Sequence, residues 1–170
     1  MTESQIRYVW HDAAAVPEGL PITQVYGWLL CPVTGRVLIQ EHDDGACTLP
    51  GGTPEDFDAD RHATLARECF EENQVRIGSA AVYLGYQEVL IPQGSPIAQI
   101  RMAAVITEFA PRAPDADGGG LYRRRMTSLA AAPGLLGWGQ PAEAQARATA
   151  RAGRQWGLRV DRPAPDGYED

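Results

Sequence analysis

The chemistry-bearing residues of this sequence crowd into one short stretch, Arg67-Glu68-Cys69-Phe70-Glu71-Glu72. On an α-helix with Ala66 set at zero, Glu71 falls near about 140°, Glu68 near about 200° and Glu72 near about 240°. Ala59, His62, Ala63, Ala66, Cys69 and Phe70 fall within about 60° of zero, which predicts a core stripe with the three carboxylates opposite it. Glu68 then meets both Glu71 and Glu72, and like charges at that spacing destabilise a helix by a few tenths of a kcal/mol per pair. A hard divalent cation, Mg²⁺ or Mn²⁺, offsets that repulsion, because it prefers carboxylate oxygens and keeps positions open for water and phosphate. Arg67, four residues before Glu71, can pair with and orient that carboxylate. A solvated acidic face is the plainer reading of the same six residues, and the stretch alone leaves both open. A calcium loop starting at Asp56 does not fit, since its sixth and twelfth positions are Arg61 and Arg67 rather than Gly and Glu.

Such a helix needs neighbours that present a ligand to it. Residues 5–10, 22–31 and 36–41 read as strands, the last two joined by a Pro-Val-Thr-Gly turn into a hairpin. Thr48-Leu49-Pro50-Gly51-Gly52 follows as a short segment ending in two glycines, which let backbone come close to a metal or phosphate. The helical pattern runs from about 58 to 73, with Asp58 or Asp60 as N-cap. Strand-like runs return at 80–90 and 99–109, residues 111–120 read as a loop, and Ala142 to Trp156 reads as a second helix. Strands on both sides of a central helix, with another helix at the end, predict an α/β sandwich around a mixed sheet. Residues 1–160 are expected to form one domain, and 161–170 a flexible C-terminal tail.

Composition narrows the function classes. The 170 residues carry 22 acidic and 15 basic side chains, a net charge of −7, so a general nucleic-acid-binding surface is not expected. Every basic residue is Arg; without Lys there is no Walker A lysine and no Schiff-base lysine. Phosphate recognition therefore falls to Arg, backbone N–H groups or metal. The three cysteines and three histidines are dispersed, which argues against a zinc site and reads as reduced, buried thiols of a cytoplasmic protein. No membrane-length apolar run and no signal-peptide pattern is visible.

Leu49-Pro50-Gly51-Gly52, Glu55, Asp58, Arg67-Glu68, Glu71-Glu72 and Val75 together resemble the Nudix box of the Nudix hydrolases, G-x5-E-x7-R-E-U-x-E-E-x-G-U with U aliphatic. The match covers residues 49–75 and departs from the pattern in four places. Asp58 stands for Glu, eight residues rather than seven separate it from Arg67, Gln74 stands for the helix-ending Gly, and Cys69 replaces an aliphatic residue. A non-Gly residue in the left-handed turn costs about 1–2 kcal/mol, and Asn73 is expected to take that turn instead. The resemblance implies a Nudix-like α/β/α sandwich around a mixed β-sheet. It implies Mg²⁺- or Mn²⁺-dependent cleavage of the pyrophosphate in a nucleoside diphosphate linked to another moiety, with a small-molecule nucleotide as substrate. Glu68, Glu71 and Glu72 with the Gly51 carbonyl would hold metal, and Arg67 would join them in the catalytic set. Gly52, Asp58, Arg123 and Arg124 would contact substrate. One carboxylate would serve as water-activating base: Glu68, or an acid from a later segment, Glu108, Asp115 or Asp117. A non-catalytic nucleotide-sensing or interaction module on the same fold is the alternative, and a homodimer is compatible with either.

Three further groups carry two readings each. The Arg123-Arg124-Arg125 triplet fits a phosphate site or a solvated patch. Tyr26, Trp28, Tyr83 and Tyr86 fit base stacking or core packing. Pro92, 17 residues beyond Val75, sits where ADP-ribose-cleaving relatives carry a proline, or in an ordinary loop.

Overall fold

The computed structural model describes residues 5–163 and 165–170, so Met1 to Ser4 and Ala164 lie outside the description. The elements in chain order are β1 (Arg7–His11), β2 (Ile22–Leu30), β3 (Val37–Glu41), β4 (Cys47–Thr48), β5 (Gly51–Gly52), α1 (Arg61–Asn73), β6 (Val75–Leu90), β7 (Ile97–Phe109), β8 (Arg123–Thr127), α2 (Ala132–Leu136), α3 (Gln140–Gln155) and β9 (Gly167–Tyr168). The strands form one sheet in the order β1-β6-β7-β2-β3-β8-β9, with β4 pairing β3 and β5 pairing β2. The β2–β7 pair is parallel and its neighbours antiparallel, so the sheet is mixed as expected.

Alternation along β2 explains the layering. Val25 and Leu29 point to one face and pack with Leu65 and Cys69 of α1; Trp28 and Leu30 point to the other and pack with the alanines of α3. Two apolar cores therefore lie on opposite faces of one sheet, which makes an α/β/α sandwich. α3 approaches closely because it buries Ala142, Ala146, Ala150 and Gly153, and a Cβ on Gly153 would collide with Val160. The Trp28 indole N–H, fully buried, donates to Gln145 Oε1 of α3 at 3.1 Å, so burying the polar end costs no unmet hydrogen bond.

The structure corrects the helix reading in two respects. The buried residues of α1 are Thr64, Leu65, Cys69 and Asn73. On the same wheel they span about 160° to about 340°, an arc that contains Glu68 and Glu72. Those two carboxylates are at the inward side of the helix, not opposite it; Leu65 and Thr64, absent from the expected stripe, rotate the buried face by roughly a quarter turn. The helix end also differs. Gln74 itself takes the left-handed conformation, at φ 51° and ψ 41°, rather than passing the turn to Asn73. Its side-chain amide donates to Glu71 O at 2.9 Å and accepts from Ala113 N–H at 2.8 Å, contacts that offset the strain and that Gly could not make.

Residues 165–170, expected within a flexible tail, are tied to the sheet. Gly167–Tyr168 adds a strand to β8, with Met126 opposite Gly167 and Arg125 opposite Tyr168. Asp166 accepts from Arg125 at 2.8 Å and from Thr127 Oγ1 at 2.6 Å. The Tyr168 hydroxyl donates to Glu41 at 3.0 Å.

Candidate active site

A cleft of about 1000 Å³ opens beside the C-terminal part of α1 and the β5 glycines. Three kinds of constraint bring the site together. First, Gly51 lies at φ 146°, and a Cβ there would strike the Val25 carbonyl; only glycine fits between β2 and the helix. Its N–H donates to Glu72 Oε2 at 3.2 Å, which fixes that carboxyl at the cleft wall. Secondly, a Cβ on Gly52 would collide with the Glu68 carboxylate, so the second glycine clears the space in which Glu68 stands. Thirdly, Arg67 holds the acidic group in order. Its Nη1 donates to Glu68 Oε1 and to Glu71 Oε2, both at 3.0 Å, and its Nη2 donates to Thr53 O at 2.8 Å.

Asp58 explains how Arg67 is itself held. Its carboxylate accepts from Arg67 Nε at 3.1 Å and Nη2 at 2.9 Å, a bidentate pair. It also accepts from the Glu55 N–H and the Thr64 hydroxyl, each at 2.9 Å. The Arg67 guanidinium and these further donors hold the Asp58 carboxyl well below the usual carboxylate range. Asp58, expected among the substrate contacts, instead stands behind the arginine, where it positions Arg67. The extra residue before Arg67 is taken up ahead of the helix: Asp60 caps α1 by accepting from Ala63 N–H at 2.8 Å.

Electrostatics mark Glu72 as the strained member. Burial pushes its carboxyl up to about 8, against the lowering effect of the Gly51 N–H, and the charges of Glu68, Asp115 and Glu71 add to the rise. Glu68 is raised too, by burial first, with Arg67 opposing. Among the described residues no group of three or more His, Cys, Asp or Glu side chains stands close enough to form a ready metal cage. Glu71, expected as a third ligand, faces Arg67 instead.

The remaining expected residues divide. Asp115 and Asp117 line the cleft, whereas Glu108 pairs with Arg76 at 3.2 Å on the surface, away from it. Arg124 is not a substrate contact: it is 2% exposed, and its Nη1 and Nε donate to Ala110 O at 2.7 Å and Glu169 O at 2.6 Å. Arg123 lies over the Tyr168 ring at 3.5 Å and is not part of the cleft. The triplet anchors the C-terminal strand. Tyr26 lines the cleft, whereas Trp28 is in the core; Tyr86 is buried and stacked on His11 with ring centroids 4.6 Å apart. Sequence reasoning missed the cleft floor, where Arg101, Gln87 and Gln99 stand. The available signal was a single Arg between Ile100 and Met102 in an otherwise apolar strand.

Comparison with solved structures agrees with the fold. A Nudix hydrolase from Nitrosomonas europaea superposes with a TM-score of 0.57 at 18% identity, over 78% of this chain and 90% of that one. The pyrophosphohydrolase BsRppH of Bacillus subtilis gives 0.54 at 22% identity, over 68% and 70%. This chain has the Nudix fold. No protein-family model matches the sequence, and no curated protein is significantly similar to it. In this chain the glycine pair, set against β2, stands at the wall of the cleft, and β2 pairs in parallel with β7, which carries Arg101. No helix among the described residues is long and apolar enough to cross a membrane.

Proposed function

We propose that this protein is a Mg²⁺- or Mn²⁺-dependent hydrolase of phosphorus anhydrides, acting on a nucleoside diphosphate linked to another moiety. The observation that carries the reading is the pair Glu68 and Glu72, held against Gly51-Gly52 at the wall of an open cleft, with burial and the neighbouring carboxylates pushing Glu72 up to about 8. A donor set of two carboxylates with open space beside it suits Mg²⁺, which takes one or two carboxylates and keeps its other positions for water and phosphate oxygens. Glu68 and Glu72 would hold it, with the Gly51 carbonyl as a further oxygen donor. When bound, the ion neutralises diphosphate oxygens and makes water more acidic.

The chain's own residues do the rest. Gly51 N–H fixes Glu72, and Arg67 fixes Glu68, so neither carboxylate has to be ordered when substrate arrives. Gly52, lacking a Cβ, leaves the Glu68 carboxylate room to stand against the backbone. Glu68, Asp115 and Asp117 are the candidates to accept the proton of the attacking water, because they line the cleft and Glu108 does not. The expected test result is release of nucleoside monophosphate or phosphate from a nucleoside-diphosphate panel with Mg²⁺ or Mn²⁺. Glu68→Gln and Glu72→Gln should each lower turnover by roughly 10³-fold. Tight nucleotide binding with no turnover, or turnover unaffected by both substitutions, would overturn the assignment.

A further inference from the structure

The cleft has a second charged end. Arg101 of β7 is 3% exposed, yet it lines the same cleft as Glu68 and Glu72. Its guanidinium packs on the rings of Tyr26 at 4.8 Å and Trp138 at 5.4 Å. The hydrogen bonds it makes are long and all to neutral amide oxygens. Nη2 reaches Gln87 Oε1 at 3.3 Å and Gln99 Oε1 at 3.4 Å, and Nη1 reaches the carbonyls of Ile100 at 3.4 Å and Gln99 at 3.5 Å. Nε makes no hydrogen bond among the described residues. No carboxylate of the described residues forms an ion pair with it, and burial lowers the guanidinium to about 10. Tyr26 cannot serve as counter-ion, because burial raises its hydroxyl and keeps it neutral.

Arg124, the other deeply buried arginine, shows the contrast: short bonds to backbone carbonyls at 2.6 and 2.7 Å satisfy it. Arg101 has no such set. A buried charge without a partner is destabilising unless something supplies the partner. The open side of Arg101 is the cleft, so the partner arrives with the ligand.

The sheet register gives the spacing. Tyr26 of β2 pairs with Gly51 of β5 on one side and with Arg101 of β7 on the other. Adjacent strands lie about 4.8 Å apart, which puts the Arg101 backbone about 10 Å from Gly51. The guanidinium itself lies over the ring of Tyr26, the residue between them in the sheet, 4.8 Å from the centroid. We propose that Arg101 is a specificity residue for a second oxyanion, a phosphate monoester or a carboxylate, carried by the substrate on a group attached to the diphosphate at Glu68 and Glu72. This rests on the hydrolase reading for the position of the diphosphate. Gln87 and Gln99 keep the guanidinium edge toward the cleft, and their neutral amides leave its charge uncompensated.

The test uses matched pairs of diphosphates that differ by one anion. NADPH against NADH probes a phosphate monoester, and UDP-glucuronate against UDP-glucose probes a carboxylate. In the wild type one pair should show a kcat/KM ratio on the order of 10²-fold in favour of the doubly anionic member, the range for a desolvated charge pair. Arg101→Gln should collapse that ratio to within about twofold. Which pair responds identifies the oxyanion. Ratios near one for both pairs in the wild type, or a ratio unchanged in Arg101→Gln, overturns the proposal. If no compound is cleaved, the hydrolase reading fails by itself, and Kd ratios for the same pairs by calorimetry then decide the role of Arg101 by the same criteria. Arg101→Met, which removes the unpaired charge, should not lower the ligand-free unfolding temperature. A lower temperature with an unchanged ratio in Arg101→Gln would make Arg101 a structural residue and overturn the proposal.

Discussion

Glu72→Gln should stabilise the metal-free protein while destroying its activity. In the folded chain the Glu72 carboxyl sits at about 8 rather than at its ordinary 4.5, chiefly because it is buried. The folded state therefore holds a proton that the unfolded state has released, so stability falls as pH rises from about 4.5 to about 8 and is level above that. At about 1.4 kcal/mol per pH unit the full effect is about 5 kcal/mol. Solvent screening of a carboxyl at a cleft wall brings it to about 2.5 kcal/mol. Gln removes the charge and keeps an oxygen to accept the Gly51 N–H, so the structural contact survives. In EDTA at pH 9 the variant should unfold about 5–10 °C above the wild type, and at pH 4 the two should coincide. Added Mg²⁺ should raise the wild type and leave the variant nearly unmoved. Thermal unfolding followed by circular dichroism across pH 4–9 provides the measurement. A difference between the proteins that does not depend on pH, or a variant less stable at pH 9, would refute the electrostatic reasoning.

Four other outcomes are expected. Asp58→Asn removes the charged half of the Arg67 clamp and should weaken divalent-cation dependence or activity by about 10–100-fold, read from metal titrations of the rate. Because Arg67 holds Asp58 below the usual range, stability from this pair is complete above about pH 4 and is lost only as pH falls below that, which acid titration of unfolding will show. Gln74→Ala keeps the left-handed backbone but deletes bonds to Glu71 and Ala113, and should cost about 1–2 kcal/mol by urea unfolding. Deleting residues 165–170 strips partners from Arg124 and Arg125 and should lower the unfolding temperature by several degrees, leaving the Glu68–Glu72 geometry intact.

The carboxylate helix and the glycine pair were legible because their signals are local. Spacing of three and four on a helix brings Glu68 and Glu72 to one side whatever the rest of the chain does, and two adjacent glycines announce close backbone approach. What spacing could not supply was the absolute rotation of α1. The apolar stripe drawn from spacing includes Ala59 and His62, which lie before the helix or in its first turn. The deep contact comes from Leu65, which packs with Val25 and Leu29. Only the sheet beneath the helix determines that Leu65 points down, and with it Glu68 and Glu72 turn inward. The arginine triplet misled for a related reason. Three adjacent arginines on a strand alternate between faces, so Arg124 turns inward while Arg123 and Arg125 turn out to meet Tyr168 and Asp166.

Asp58 shows how a departure from a motif can preserve its physics. The carboxylate is one methylene shorter than the pattern's Glu, and one extra residue separates it from Arg67. The two changes are both absorbed in the turn before α1, where Asp60 caps the helix and the Glu55 N–H and Thr64 hydroxyl hold Asp58 in place. From there Asp58 makes its bidentate contact to Arg67. What the arginine needs is a fixed anion behind it, so that its remaining N–H groups can order Glu68 and Glu71. The same requirement, met in reverse, separates Arg67 from Arg101. Arg67 is neutralised by three carboxylates of its own chain, has no charge left for a ligand and can only position others. Arg101, even further removed from water but given only amides, keeps its charge for whatever enters the cleft.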